Sequence, residues 1–373
     1  MARVAAIGDA HLGRSYLPRT TPEGVNQREQ DFEESFEAAV ELVLSLQPDA
    51  VMWLGDVFDA PRPTYRAYRG AQRSLARIRE HGIPLVAISG NHDTPRLPGT
   101  ASPYATLADS FSEHHFAYRL AYESFDLPGL RVHCVPQTMG VESTLVALAE
   151  AKANRSSDRV NLLLTHPRIK QLEPPMRDIN EIEVDADDVQ MDLTLLGHYH
   201  FHVKVRDGMW YAGSTDTFTW ADSPDAPKGI VLLDTDSGAV THHPILGRRP
   251  FAHLEPIAAA GLSPAEIQAA MLERASEVPT GAVARLYING VDPHAYRLVD
   301  LAAVQDAAAA ALWFHAIPDP LPGVTSVADL PTSDTLADRW ARYLEHQDLT
   351  GYDNERIREM GEEHIHAAID AAT

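Results

Sequence analysis

The sequence predicts an α/β protein built in layers, with two globular domains. Its 373 residues exceed one average domain, and 45% of them are hydrophobic, which is enough for a sizeable core and a second module. Short apolar runs alternate with segments of helical periodicity, a rhythm typical of helices packed on sheets. Five of the apolar runs end in polar side chains that could carry chemistry.

Two helices are predicted near the start of the chain, because apolar residues recur there at spacings of three and four. The first spans residues 27–47, and its apolar face consists of Phe32, Phe36, Val40, Val43 and Leu44. The second lies within residues 64–82 and ends at Gly82. Its apolar face consists of Tyr68, Ala71, Leu75 and Ile78.

Short apolar runs predict buried strands. They stand in the segments RVAAIGD, DAVMWLGD, IPLVAISGNHD, RVNLLLTH and MDLTLLGHYH, and later in GMWYAGS and GIVLLDTD. The single cysteine, Cys134, lies in a similar apolar setting, RVHCVPQ. One cysteine excludes an intrachain disulfide, and this setting predicts a buried, unreactive thiol.

Five of these strands end in Asp, Asn or His. In open α/β sheets the carboxyl ends of strands converge on the ligand crevice, so side chains far apart in sequence can meet there. Chance capping explains one such residue but not the whole set. The residues are Asp9, His11, Asp56, Asn91, His92, His166, His198 and His200.

The donor types in this set are those of a metal pair. Carboxylates, an amide oxygen and neutral imidazoles suit manganese or iron, and the lack of cysteine ligands argues against a structural zinc site. The set without His92 is large enough for two ions if one carboxylate bridges them. Two ions about 3.5–4 Å apart can clamp the attacking and leaving oxygens at phosphorus. The sequence therefore predicts hydrolysis of a phosphate ester.

The overall charge limits the possible partners. A formal net charge of −22 argues against a protein that coats nucleic acid nonspecifically, since such binding requires many basic residues. Any contact with nucleic acid must be local or shared with a partner. No window approaches the roughly 18 apolar residues of a membrane span, and the N-terminal apolar stretch is too short for a signal peptide. We expect a soluble, cytoplasmic protein that does not bind membranes.

The order and spacing of the polar strand ends resemble those of the calcineurin-like metallophosphoesterases. The motifs D-x-H, G-D-x-x-D/H, G-N-H-D/E, H and G-H-x-H are all present. The segments DAHLGR, LGDVFDAPRP, ISGNHDTP and YAGSTDTFTW further resemble SbcD-type DNA-repair nucleases, relatives of the double-strand-break nuclease of eukaryotes and archaea. The resemblance covers residues 1 to about 245 and implies a layered β-sandwich flanked by helices.

The resemblance also implies a ligand set for two ions, for which we expect manganese, with magnesium or iron as alternatives. Asp56 would bridge the two ions. One ion would be held by Asp9, His11 and His200. The other would be held by Asn91, His166 and His198.

Three further residues near these motifs receive different expectations. In the family, the residue at the place of His92 contacts the scissile phosphate and can protonate the leaving oxygen. Asp59 stands where bacterial members have Asp and several others have His, and we expect it to orient His92 or another neighbour. His202, the third alternating histidine of GHYHFH, lies beyond the motif and is expected not to bind metal.

The remaining chain divides by pattern into four parts. Residues 1–247 form the predicted nuclease domain, and 248–320 resemble in order the small capping domain of SbcD-type nucleases. Residues 321–332 are predicted to be a linker because they are rich in Pro, Gly and Ser. Residues 333–373 contain two amphipathic helical patterns, similar to the helix pair that grips the coiled coil of an ABC-type ATPase, SbcC in bacteria. The alternative is that this pair folds back on the parent domain.

The function predicted from these features is that of a manganese-dependent DNA exonuclease and endonuclease. It would act on DNA ends or hairpins in repair or recombination, as a homodimer with an SbcC-like ATPase. One alternative is a stand-alone phosphodiesterase for small nucleotides, although such members generally lack a capping module. The other is a DNA-end tethering scaffold with a silent site, against which the complete ligand set counts. Protein phosphatases are disfavoured because GDVFDAP lacks their Arg-Gly continuation.

Overall fold

A computed structural model describes most of the chain. The described residues are 2–96, 100–172, 181–220, 222, 226–319, 340–341, 344 and 355–361. The chain divides into two compact units, Met1–Phe251 and Ala252–Thr373. The boundary predicted after residue 247 lies close to this division. No helix within the described ranges is long and apolar enough to cross a membrane.

The first unit alternates strands and helices. Its strands are β1 (Arg3–Ile7), β2 (Ala50–Leu54), β3 (Leu85–Ile88), β4 (His115–Ala117), β5 (Glu123–Leu127), β6 (Leu130–Val135), β7 (Val160–Thr165), β8 (Arg168–Ile169), β9 (Glu183–Val184), β10 (Leu193–Leu196), β11 (Val203–Arg206), β12 (Met209–Tyr211), β13 (Gly229–Asp234) and β14 (Val240–Pro244). Its helices are α1 (Gln27–Leu46), α2 (Tyr65–Glu80), α3 (Pro103–Ser110) and α4 (Val141–Ala153), with a 3-10 turn at Ala186–Asp188.

Two six-stranded sheets form the centre of this unit. The first has the order β14-β13-β1-β2-β3-β4, in which β1 to β4 are parallel and β13 joins β1 antiparallel. The second has the order β11-β12-β10-β7-β6-β5, in which β12, β10, β7 and β6 are parallel. The two outer strands β11 and β5 run antiparallel to their neighbours.

Alternating side chains of the strands pack against different layers. On β1, Val4 and Ala6 belong to a core shared with the second sheet, whereas Ala5 and Ile7 pack with α1, α2 and α3. The second sheet is covered on its other face by α4, through side chains such as Leu148. Because the central strands are buried on both faces, they are continuous apolar runs. The predicted β-sandwich flanked by helices is confirmed.

The two helices predicted from periodicity are confirmed. Asn26 caps α1 by accepting hydrogen bonds from the backbone N–H groups of Arg28 and Glu29. Thr64 caps α2 in the same way through the N–H of Ala67. Every residue of the two predicted apolar faces is buried except Tyr68, which is half-buried. Cys134 is fully buried, and burial raises the pKa of its thiol well above the ordinary value.

The second unit is a smaller α/β structure. Its elements are β15 (Phe251–His253), β16 (Ile257–Ala258), α5 (Pro264–Ser276), β17 (Val283–Asn289), α6 (Pro293–Arg297), α7 (Leu301–Ala307) and β18 (Trp313–Pro318). Strand β17 pairs in parallel with β16 and β18. Ser263 and Glu266 form a capping box at the start of α5, whose buried Ile267 and Met271 pack on the sheet.

The predicted linker at residues 321–332 lies outside the described residues, as does most of the predicted helix pair at 333–373. Within that pair, residues 340–341, 344 and 355–361 are helical. The indole Nε1 of Trp340 donates a hydrogen bond to the carbonyl oxygen of Arg358 at 3.2 Å. The described parts of the two segments therefore contact each other.

The core between α1 and the first sheet should dominate the stability of the first unit. Phe36 is fully buried and packs its ring against Trp53, with 5.4 Å between ring centroids. Phe36→Ala should lower the free energy of unfolding by about 3–5 kcal/mol, measured by urea denaturation. Tyr65→Ala is the matched control, because Tyr65 is 93% exposed and its loss should change stability by less than about 0.5 kcal/mol. Equal effects of the two changes would contradict this assignment of the core.

Candidate metal centre

The sequence-predicted site residues lie at the carboxyl ends of strands from both sheets. Strands β1, β2 and β3 of the first sheet and β7 and β10 of the second end at this edge. The described residues contain three groups of side chains, and within each group the potential ligand atoms lie within 4.8 Å of one another. They are Asp9 with His11 and His200, His11 with Asp56 and His92, and Asp9 with Asp56 and His166.

The short distances connect the two sheets. His166 Nε2 lies 3.2 Å from Asp56 Oδ2, and His11 Nε2 lies 3.1 Å from His200 Nε2. His198 Nδ1 lies 3.1 Å from Asn91 Oδ1, which brings the amide to the same place. His198 also donates its backbone N–H to Asp9 Oδ1 at 2.9 Å. The structure thus brings all seven predicted ligands together.

The backbone is bent sharply where these side chains leave their strands. Four of the candidate ligands have positive φ, which is uncommon outside glycine: Asp9 (48°), His11 (47°), Asp56 (49°) and His198 (95°). They are four of the seven non-glycine residues with positive φ in the described part of the chain. Each such conformation costs on the order of 1–3 kcal/mol and persists only where surrounding structure enforces it. Clustering of this kind is typical of functional sites.

Two motif glycines are required by close packing around His166. A Cβ on Gly90 would lie 2.2 Å from Asp56 Oδ1 and 2.7 Å from His166 Nε2. A Cβ on Gly197 would lie 2.1 Å from the carbonyl oxygen of Leu54 and 2.6 Å from His166 Nδ1. These separations are far below van der Waals contact. The G-N-H and G-H-x-H motifs therefore need glycine so that strand ends of both sheets can approach this imidazole.

In three of the histidines, Nδ1 faces an acceptor oxygen, so Nε2 is the nitrogen left for metal. His166 Nδ1 lies 2.6 Å from the Leu54 carbonyl oxygen, to which it donates, so Nε2 is the nitrogen that faces Asp56. His11 Nδ1 faces Asp59 Oδ1 at 3.3 Å, and His200 Nδ1 faces the Asp222 carboxylate at 3.2 Å. His11 Nε2 and His200 Nε2 then face each other at 3.1 Å, within hydrogen-bonding distance, and lie 3.9 and 4.0 Å from the carboxylates of Asp56 and Asp9.

The buried carboxylates also require positive charge. Asp9 and Asp56 are each 1% exposed, and their ion-pair partners within the described ranges are histidines rather than Lys or Arg. Burying a carboxylate without a counter-charge is costly, so such groups are paired or coordinate metals. The donor set of carboxylate, amide and imidazole therefore fits a pair of divalent cations.

Burial and neighbouring charges shift the pKa values of the buried carboxylates and histidines. Burial raises the pKa of Asp9 to about 6. Burial lowers the pKa of His166, but the carboxylates of Asp56 and Asp9 outweigh it and raise that pKa to about 10. Burial lowers the pKa of His11 to about 4, which keeps that imidazole neutral and able to bind metal at pH 7. The cluster thus draws in positive charge, which protons or metal ions can supply.

Two carboxylates that the motifs did not indicate support the histidines of GHYH. Glu181 Oε2 lies 2.7 Å from His198 Nε2, and Asp222 lies 3.2 Å from His200 Nδ1. The buried Lys228 contacts the carbonyl oxygen of His200 and lies 3.8 Å from Asp222 Oδ2. Carboxylates of this kind orient a ligating imidazole and raise its basicity. Nothing in the local sequence around Glu181 or Asp222 distinguishes them from surface acids.

His92 lies at the mouth of the cluster. Its side chain is 34% exposed, whereas those of His11 and His166 are fully buried. His92 Nδ1 lies 3.1 Å from the carbonyl oxygen of Asp59 and 3.6 Å from its Oδ1. Asp59 thus contacts both His92 and His11. Although His92 lies near enough to Asp56 to join a ligand group, its exposure places it where substrate would arrive.

The third alternating histidine lies apart from the cluster. His202 Nδ1 donates to the carbonyl oxygen of Tyr211 at 2.8 Å, and its ring stacks on His242 with 5.0 Å between centroids. Phe218, which the sequence did not single out, packs against His11 and His200 with centroids 4.3 and 4.8 Å away. Phe218 gives the cluster an apolar wall.

We expect Glu181 and Asp222 to control metal affinity through the histidines. Glu181→Ala and Asp222→Ala should each weaken Mn²⁺ binding by about 10- to 100-fold, measured by isothermal titration calorimetry, because the imidazoles lose their orienting acceptors. Asp222→Asn keeps an acceptor oxygen and should recover part of the loss. His202→Ala is the matched control and should bind Mn²⁺ as the unchanged protein does. Unaltered Mn²⁺ affinity in both alanine variants would show that these contacts do not support the site.

Comparison with known proteins agrees with this geometry. Residues 2–202 match the calcineurin-like phosphoesterase family. Similar curated proteins are DNA double-strand break repair proteins Mre11. That of Thermoplasma acidophilum is 27% identical over 246 residues, which are 63% of this chain and 62% of the relative. That of Methanocaldococcus jannaschii is 27% identical over 237 residues, 61% of each chain. That of Haloferax volcanii is 29% identical over 262 residues, 68% of this chain and 54% of the relative.

The matched regions are only part of each protein. The chain spans about three fifths of the length of the first two relatives. The family match covers more than half of the chain and includes every strand end that carries a candidate ligand, from Asp9 to His200. The chain therefore belongs to the calcineurin-like phosphoesterases.

Proposed function

We propose that this protein is a two-metal DNA nuclease that hydrolyses phosphodiester bonds at DNA ends or hairpins, as an exonuclease and endonuclease, in DNA repair or recombination. The observation that carries the proposal is the meeting of oxygen and nitrogen ligands around Asp9 and Asp56, with His92 at the mouth. The Mre11 proteins to which the chain is similar are named for double-strand break repair, which supports DNA as the substrate.

Within the site, we assign Asp56 as the bridge between two ions. Its Oδ2 lies 3.2 Å from His166 Nε2 and 3.9 Å from His11 Nε2, so it faces a histidine of each ion's set. Asp9, His11 and His200 would hold one ion, and Asn91, His166 and His198 the other. We expect manganese, with magnesium or iron as alternatives. When bound, the ions supply Lewis-acid polarisation of the phosphate and a nucleophile at neutral pH.

The protein's own part in the reaction is proton transfer and positioning. His92 Nδ1 donates to the Asp59 carbonyl oxygen, which directs Nε2 away from Asp59. A protonated His92 can then contact the scissile phosphate through Nε2 and donate its proton to the leaving oxygen. Asp59 holds the ring in place and also contacts His11, so it couples the acid to the metal cluster.

For partners, we propose DNA, a second copy of the chain and an SbcC-like ATPase bound through residues 333–373. The described Trp340 contributes an indole to this segment, and aromatic side chains are among those that dominate interface energetics. Helices this short are marginal in water without a partner surface. Such a nuclease would act in the cytoplasm, where it would be associated with the nucleoid.

The proposed activity can be tested on linear DNA with and without His92. The purified chain should degrade linear DNA in Mn²⁺, and His92→Ala should abolish turnover while both ions stay bound, because the acid lies outside the ligand set. Elemental analysis measures the metal, and His202→Ala should keep both metal and activity. Loss of metal from His92→Ala would place His92 among the ligands. Hydrolysis of small cyclic nucleotides without any cleavage of DNA would replace the nuclease with a phosphodiesterase.

Removal of residues 333–373 tests the proposed partner. The truncated chain should retain folding and Mn²⁺-dependent cleavage of single-stranded DNA, because every proposed ligand precedes residue 201. It should lose co-purification with the SbcC-like ATPase and any ATP-stimulated attack on duplex ends. A large fall in the thermal midpoint of the truncated chain would instead show that these helices belong to its core.

A further inference from the structure

A cavity of about 520 Å³ opens beside His92. It is formed by the two loops that follow β2 and β3, from Asp59 to Arg62 and from Asn91 to Arg96. Of the proposed metal ligands only Asn91 lines it. The cavity therefore adjoins the site on the side of His92.

The lining of this cavity combines an apolar floor with two arginines. Ala60, Pro61 and Pro95 contribute the apolar surface, and the side chains of Arg62 and Arg96 are exposed at its rim. Neither arginine has an ion pair or a hydrogen bond to another residue in the described ranges. Asp59 is the acidic residue in the lining, and it faces His11 and Arg14 at 3.3 and 3.6 Å. The two guanidinium groups are therefore available to an anion.

This arrangement matters because the chain as a whole is strongly acidic, with 53 acidic residues against 31 basic ones. A polyanion can approach such a protein only where local positive charge outweighs the rest. Guanidinium groups bind phosphate through two parallel hydrogen bonds and also stack on bases. Arg62 and Arg96 supply these groups next to the proposed acid.

We propose that this cavity is the binding subsite for the nucleotide on the leaving side of the scissile bond. Arg62 and Arg96 contact its phosphates, and Ala60, Pro61 and Pro95 contact its base and sugar. The inference rests on the proposed function, because His92 protonates the leaving oxygen and so defines the leaving side. The volume lies in the range of small-molecule sites, which suits one unpaired nucleotide rather than a duplex.

A second cavity adjoins the first, and Glu181, which contacts His198, is among the residues that line it. It has a volume of about 240 Å³ and shares Thr94 and Arg96 with the first. Met139, 66% exposed, lines it. Arg96 thus stands between two adjacent cavities, where it can contact the phosphate that links two successive nucleotides.

The test measures binding of a fluorescein-labelled, single-stranded phosphorothioate oligonucleotide to the full chain in Mn²⁺, by fluorescence anisotropy at several salt concentrations. Arg62→Ala and Arg96→Ala should each weaken binding about tenfold, the loss of one charge-assisted contact. Each should also reduce the slope of log affinity against log salt by about 0.7, because a variant with one phosphate contact fewer releases fewer counterions when it binds. Arg62→Lys and Arg96→Lys keep the charge and should restore the slope.

Arg159→Ala is the matched control. Arg159 immediately precedes β7, at the end of the strand opposite His166, and pairs with Asp126, so its loss should leave affinity and slope unchanged. If both cavity variants have the affinity and slope of the unchanged chain, the proposed subsite is wrong, and the proposed nuclease activity is unaffected by that result. Weaker binding without a change of slope, or with loss of bound Mn²⁺, would also overturn the subsite, because the arginines would then act on the fold. If the unchanged chain neither binds nor cleaves DNA, the proposed function fails and the subsite fails with it.

Discussion

The burial of two carboxylates, Asp9 and Asp56, is the constraint on which the rest of the site depends. Each is 1% exposed, and His11, His166 and His200, from three different motifs, lie beside them. Negative charge in a low-dielectric interior must be compensated, and the surrounding imidazoles allow this either by carrying protons or by binding metal ions. The left-handed turns at Asp9 and Asp56, which are unfavourable on their own, are explained by this requirement.

The sandwich supplies the rigidity that such an arrangement needs. Three strands of one sheet and two of the other end at the same edge, and the shared core of both sheets fixes their relative positions. Gly90 and Gly197 allow the loops of the two sheets to close around His166. A site built on strand ends holds its ligands more precisely than one built on long loops, which suits chemistry at a phosphorus atom.

Charge is distributed unevenly around the site. The net charge is −22, yet Arg14, Arg62 and Arg96 lie near His92. Arg14 lies 4.0 Å above the ring of Phe218, which in turn packs on His11. These three guanidinium groups lie on the His92 side of the cluster, where the carboxylate of Asp59 also lies.

Much of the fold and of the candidate site could be predicted from the sequence by itself. The faces of α1 and α2, the buried strands and the seven candidate ligands follow from local patterns, because apolar periodicity and motifs such as G-N-H-D encode backbone geometry over a few residues. His202 lies beyond the end of the G-H-x-H motif and is therefore not predicted as a ligand. In the structure it contacts Tyr211 and His242.

Only the tertiary structure decided which distant groups meet. His11 and His200 are 189 positions apart, and their contact depends on the packing of two sheets rather than on either motif. Glu181, Asp222 and Phe218 have no distinctive local sequence, so their contacts with the histidines could not be foreseen. The same holds for β13, which joins β1 antiparallel from more than 200 residues away. Local sequence determines backbone conformation, whereas contacts across the sandwich arise from burial of surfaces that no short segment specifies.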